Sequence, residues 1–178
     1  MEVWDLVDEN KRPINKLHTR GESQQPGEYH VVVEILTVNA DGRILLTQRD
    51  AEKTYPLLWE TTGGSVTAGE SSLQGAVREL AEETGLVAEE KELEFLGEIR
   101  YPNYFLDSYI WKRTAPIQPE DLVLQPGEVC DAKLVTLSEF EDMVQQGLIV
   151  SRIWDRFQLN RSRIMPFLNS EKPNGVVE

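Results

Sequence analysis

An α+β fold, helices packed on a mixed β-sheet, is what this sequence predicts, and three observations predict it. Apolar runs of strand length, such as YHVVVEILTV and YFLDSYIWKR, stand beside segments with a helical period. Strands and helices do not alternate strictly, as they would in an all-parallel sheet. At 178 residues, 40% hydrophobic and 28% charged, the chain matches one globular domain with a core of ordinary size.

The elements follow in order. EVWDLVD reads as a strand and ENKRP as a turn. The polar stretch to Gly27, with Pro26 before it, reads as a loop. Residues 1–27 are therefore set apart as an N-terminal strand or hairpin extension with its linker. YHVVVEILTV is a buried strand, NADG a hairpin turn, and RILLTQR the returning partner. LLWETTGG is a short strand ending in glycines, with Trp59 expected to pack under them. A helix is expected from about Ser72 to Thr84, with Ser71 or Ser72 as N-cap and Gly85 as the left-handed stop. LEFLGEIRY, YFLDSYIWKR and AKLVTL are further strands. SEFEDMVQQG is a capped helix, and SRIWDRFQLNRSRIMPFL one final helix stopped or bent near Pro166, with Trp154 in the core. The main domain spans 28–169, and 170–178 is a frayed tail.

Composition removes several classes of function. A net charge of −13 leaves no basic stripe to track a nucleic-acid polymer. No apolar run reaches the roughly 18 residues of a membrane helix. The first ten residues, MEVWDLVDEN, lack the apolar stretch of a secretory signal, and a single cysteine, Cys130, cannot form an internal disulfide, so the cytoplasm is expected. Cys130, within EVCDAKLV, reads as a small buried residue. The strand before the linker offers an edge on which a homodimer can pair.

GGSVTAGESSLQGAVRELAEETGL poses the chemical question. On a helical wheel Leu73, Val77, Leu80 and Thr84 share one stripe, the core side, and Glu79, Glu82 and Glu83 the opposite one. Like charges at this spacing repel by a few tenths of a kcal/mol per pair. Arg78 flanks the acids and is expected to pair with one at a time. A solvated face is the plain reading. Gly63 and Gly64, where backbone can approach a ligand, and the further acid Glu70 favour another: a hard divalent cation, Mg²⁺ or Mn²⁺, which takes oxygen ligands and shares itself between carboxylates and phosphates.

Gly64, five residues, Glu70, seven residues, then Arg78-Glu79-Leu80-Ala81-Glu82-Glu83-Thr84-Gly85-Leu86 resembles the full Nudix box. At roughly 7% usage per specified residue, a chance match in such a chain is on the order of one in ten million. The resemblance implies an α/β/α sandwich around a mixed sheet. It also implies metal-dependent hydrolysis of a nucleoside diphosphate linked to another moiety, by water attack on phosphorus. Carried over by position, Glu79, Glu82, Glu83 and the Gly63 carbonyl would hold metal. Arg78 would orient the glutamates and Glu70 would stand behind them. Glu79 and Glu128 are the candidates for the base, and Arg49, at a strand end, is a candidate for meeting a phosphate.

Outside the box the chain resembles the branch near isopentenyl-diphosphate isomerase, from WDLVDENKRP through YPLLWETTGG to GEVCDAKLVTLSEF. That enzyme's acid/base cysteine is replaced here by Gly63, and a metal-binding histidine two places on by Ser65. His30 matches an isomerase histidine. The missing cysteine and intact box favour a hydrolase. The alternatives are an isomerase-like enzyme on isoprenoid diphosphates and a non-catalytic nucleotide sensor.

Overall fold

The computed structural model describes residues 2–169; the expected tail lies outside the described residues. Two strands open the chain, β1 (Val3–Val7) and β2 (Pro13–Thr19), paired antiparallel. The second was read as loop, because five of its seven side chains are exposed and no apolar alternation marks it. Within the chain, the partner of β1 is β2. The hairpin tip is tied down by Lys11, whose Nζ lies 2.6 Å from both Glu98 and the buried Asp107.

The main sheet has seven strands. These are β3 (His30–Val38), β4 (Ile44–Arg49), β5 (Trp59–Glu60), β6 (Thr62–Ser65), β7 (Glu94–Arg100), β8 (Tyr104–Lys112) and β9 (Val129–Val135). β3 runs parallel to β8 over its whole length, and the other pairings are antiparallel, which makes the sheet mixed. β3 and β4 touch in register only at Val38 and Ile44, beside their turn. Beyond that point they diverge: β4 takes β5 and β9 as partners, while β3 takes β6 and β8. The chain crosses this fork at Thr61, between β5 and β6.

The period of two in the strands divides the core between the faces. Val33 and Ile35 of β3 face α1 (Ser72–Thr84), with Leu45, Ala76, Leu80 and Trp111. Leu36 and Val38 face the opposite way, with Ile44, Leu46 and Ile110, toward α2 (Leu137–Gln145), α3 (Ser151–Leu159) and α4 (Arg161–Leu168). The result is an α/β/α sandwich. Trp59 belongs to this second core, under the later helices and not under the glycines. Trp154 packs against Phe140 and Phe157, as a core aromatic does.

Two further expectations need correction. The final helix is two, divided at Asn160 and not at Pro166, which sits inside α4. The Asn160 side-chain amide donates to the Arg156 carbonyl at 3.2 Å, capping α3 where asparagine commonly ends helices. Cys130 is exposed. The β4–β9 register jumps from Gln48↔Asp131 to Arg49↔Val129, so Cys130 is the extra residue of a bulge and turns away from the core. Among the described residues no helix is long and apolar enough to cross a membrane.

Candidate active site

The site is built on β6 because that strand lacks side chains where they would obstruct. A Cβ on Gly64 would overlap the Glu79 carboxylate, and one on Gly63 would run into the Val33 carbonyl of β3. From the helix side, a Cβ on Gly75 would stand 3.0 Å from Val66. Small residues on both elements let α1 lie close along β6. Glu79 then rests over Gly64, and Glu83 accepts the Gly63 N–H at 3.2 Å.

This contact turns the helix from its expected orientation. Glu79 and Glu83 are 9% and 6% exposed, so they are buried with Ala76, Leu80 and Thr84 and do not line an outer stripe. Leu73 and Val77 are only partly buried. The inward face has rotated toward the acids by roughly a quarter turn. A helical wheel weighted by hydrophobicity misses this, because what decides it is how closely Gly75 and Ala76 allow the strand to approach. Glu82 remains on the exposed flank.

Arg78 pairs with three carboxylates at once, not one. Its Nε donates to Glu70 at 2.8 Å, and its Nη1 to Glu79 at 2.9 Å and Glu82 at 3.0 Å; Nη2 reaches Glu70 and the Ser65 carbonyl. Burial works against its charge, but the bonds to Glu70 and Glu79 prevail and hold it protonated. Burial is the largest single influence on Glu70 and raises it, but the bonds from Arg78 and Thr67 together outweigh it and hold Glu70 below the usual carboxylate range. Arg78→Lys keeps the charge and loses the planar fork. We expect kcat/KM to fall by about tenfold to a hundredfold and thermal unfolding to move down by a few degrees, about 1–2 kcal/mol. Steady-state kinetics and a melting curve check this, and a fully active lysine variant would show that charge alone suffices.

Glu83 has the least company. Burial pushes its carboxyl well above the usual range, and Glu60 and Glu79 push the same way against the Gly63 amide. Glu79 is raised by burial despite Arg78, and Glu60 by burial despite Arg49. Across a cavity of about 190 Å³ from Glu79, Glu82 and Glu83 stand Lys53, Gln125 and Glu128, with Glu2, Trp4 and Arg20 of the N-terminal hairpin. Glu128 is ion-paired with Lys53. Among the described residues, no three acid, imidazole or thiol side chains are already gathered as a metal cluster. Arg78 bridges Glu79 and Glu82 instead. The donor set nevertheless fits a hard cation, since Glu83, a buried carboxylate with no ion pair among the described residues, sits among further carboxylates and open backbone.

On the far side of Gly63 and Gly64, where the sheet forks, a second cleft of about 420 Å³ opens toward α3. Arg49 lines it, held by Glu60 at 2.6 and 2.8 Å and by the Thr54 carbonyl. Arg156 lines it too, bound to Glu34 at 2.6 Å. Sequence reasoning thus brought Gly63, Glu70, Arg78, Glu79, Glu82, Glu83 and Glu128 to one place, with Arg49 next door. It missed Glu60, Lys53 and the hairpin wall. Glu60 had a signal, lying three residues before the glycine pair; the others come together only through the fold. His30 is a buried strand residue stacked on Trp4 at 4.3 Å, and burial takes its pKa down to about 4. The isomerase cysteine has no room at Gly63.

Comparison with known proteins agrees with this fold. The family model of the NUDIX domain matches residues 28–152. An uncharacterized Nudix hydrolase of Listeria monocytogenes is 37% identical over 149 residues, 83% of this chain and 87% of that one. Over a shorter stretch, 47% of this chain and 49% of the other, it is 40% identical to an isopentenyl-diphosphate Delta-isomerase of Nocardia farcinica. A bifunctional NMN adenylyltransferase/ADP ribose pyrophosphatase from Francisella tularensis, solved with AMP and a manganese ion, superposes with a TM-score of 0.64 at 19% identity. That match covers 80% of this chain and 43% of that one. The chain belongs to the Nudix family and is a Nudix hydrolase.

Proposed function

We propose that this hydrolase cleaves, with Mg²⁺ or Mn²⁺, the diphosphate linkage of a nucleoside diphosphate joined to a second moiety, by attack of water on phosphorus. One observation carries the reading: Glu83 is buried beside Glu79 and Glu60 with no ion-pair partner among the described residues, and the Gly63 amide and the more distant Lys53 charge do not offset that burial and repulsion. An unpaired buried charge costs several kcal/mol, and a divalent cation removes that cost. Glu79, Glu82, Glu83 and the Gly63 carbonyl would hold the cation. When bound, it supplies neutralisation of the phosphoryl and leaving oxygens. Arg78, backed by Glu70, fixes the carboxylates of Glu79 and Glu82. Of the two candidate bases, Glu79 is favoured, because burial strengthens its hold on a proton while Glu128 is committed to Lys53. The Francisella protein, an ADP ribose pyrophosphatase solved with AMP and a manganese ion, supports the same class of substrate.

The test is incubation with ADP-ribose, UDP-glucose and a diadenosine polyphosphate in ¹⁸O-water with each metal. A nucleotide product and a single product phosphate carrying the label are expected. Intact compounds across the panel under both metals would overturn the assignment.

A further inference from the structure

We infer that the cleft on the α3 side receives a second anionic group of the substrate, phosphoryl or carboxylate, separate from the cleaved diphosphate and gripped by the start of α3 and Arg152. This deepens the hydrolase reading and rests on it. Three independent features meet in the cleft.

The first is the helix start. Residue Val150 occupies the N-cap of α3 and offers no side-chain acceptor, and no acid lies in the first turn. The Ile153 N–H turns back to the Val150 carbonyl at 2.9 Å, which leaves the Ser151 and Arg152 N–H groups without partners among the described residues. Val150, Ser151, Arg152 and Ile153 all line the cleft. A helix beginning in this way attracts an anion through its free N–H groups and its dipole.

The second is Thr61, at the fork of the sheet. Its residue is 6% exposed and its hydroxyl has no hydrogen-bond partner among the described residues; it forms the wall between this cleft and a smaller apolar cavity lined by Phe140 and Ile153, so it is within reach of a ligand only from the cleft. A buried hydroxyl left alone is costly, and a ligand oxygen would relieve it.

The third is charge. Glu60 and Glu34 neutralise Arg49 and Arg156, but among the described residues Arg152 has no carboxylate partner. Its guanidinium is held by the Tyr104 hydroxyl at 3.0 Å and lies 4.9 Å over the Tyr101 ring. The two tyrosines stack on one another at 4.6 Å. Tyr101 therefore presents one face to Tyr104 and carries Arg152 as well, which favours a charged group over a stacked base. The cleaved diphosphate must reach Glu79 and Glu83 in the other cavity, across Gly63 and Gly64. A group filling the α3 end at the same time is a different part of the substrate, and the cleft has room for a sugar-sized moiety. A neutral moiety can accept hydrogen bonds from the Ser151, Arg152 and Thr61 groups but leaves the Arg152 charge and the helix dipole without a countercharge, and charge-assisted bonds are roughly twice as strong as neutral ones.

The experiment measures dissociation constants by titration calorimetry for two pairs, UDP-glucuronate against UDP-glucose and coenzyme A against dephospho-coenzyme A. Products are followed in the same samples. The wild type should bind the anion-bearing member of at least one pair about tenfold tighter or more, and which pair responds tells carboxylate from phosphoryl. Two variants should bring that ratio close to one. Arg152→Gln removes the charge. Ser151→Pro removes one N–H at the first helical position, where proline is tolerated, and circular dichroism confirms that each is folded. A ratio near one in the wild type, a ratio unchanged in both variants, or no measurable binding of any member overturns the inference. So does an equal loss for both members in Arg152→Gln, which would place that residue on the diphosphate itself. A preserved ratio without products would count against the hydrolase reading alone.

Discussion

Replacing Glu83 by glutamine should lower turnover about a thousandfold, some 4 kcal/mol in the barrier, and leave the metal-free protein at least as stable as the wild type. The two halves of this expectation share one cause. Glu83 sits over Gly63 in a position where burial, with repulsion from Glu60 and Glu79, holds its folded-state pKa well above the ordinary carboxylate value of about 4.5. A carboxyl raised in this way binds its proton more tightly folded than unfolded. Its contribution to stability is complete below the unfolded value and is lost as pH rises through the folded one. Metal-free wild-type protein should therefore weaken to denaturant as pH climbs from about 4.5, and the glutamine variant should lose part of that slope. Added Mg²⁺ should raise the melting temperature of the wild type and have much less effect on the variant, because binding to the folded state alone is what stabilises. Urea titrations at several pH values and melting curves with and without magnesium check this. A variant that turns over at wild-type rates, or unfolds more readily without metal, would remove Glu83 from the proposed role.

The box is contiguous, so the carboxylates, their arginine and the glycine pair were legible from spacing alone. So were most strands of the main sheet, whose apolar runs leave little choice; LLWETTGG, read as one strand, is two, because nothing in it marks the change of partner from β4 to β3 at Thr61. What sequence reasoning got wrong was the direction in which α1 faces. Counting apolar residues put Leu73 and Val77 inside and the acids outside, while Gly75, Ala76, Gly63 and Gly64 brought the acid-bearing side against β6. Glu83→Gln is thus expected to fold because it relieves a buried charge, not because the residue faces away from the core. β2 escaped notice for the opposite reason: five of its seven side chains are exposed, and it is held by backbone pairing with β1. The α3 cleft was not legible at all. It depends on β3 and β4 diverging after a single paired position, a feature of pairing that neither strand shows on its own.

Alanine at Gly64 and alanine at Gly63 should fail in different ways, although the two glycines are neighbours. At Gly64 the atoms nearest the new Cβ all belong to the Glu79 carboxylate, the free end of a flexible side chain. The carboxylate can swing aside, so the fold should survive with a melting temperature within a few degrees of the wild type. Its removal from β6 breaks its register with Glu83 and with Arg78, and kcat/KM should fall about a hundredfold. At Gly63 the new Cβ meets the Val33 carbonyl, with the Glu34 Cα 3.0 Å away. Both are backbone, and β3 is held on its other side by β8 in register from His30 to Val38. Neither strand can give without breaking pairs, so we expect a loss of about 3 kcal/mol, or roughly 6–12 °C in melting temperature. Activity would fall with it, but as a consequence of a displaced strand. Melting curves and kinetics on the two proteins separate the cases. If Gly64→Ala unfolded as early as Gly63→Ala, the Glu79 side chain would have to be locked in place by more than Arg78, and β6 would be rigid on both sides. If Gly63→Ala were as stable as the wild type, the close approach of β6 to β3 would not be what places the glutamates.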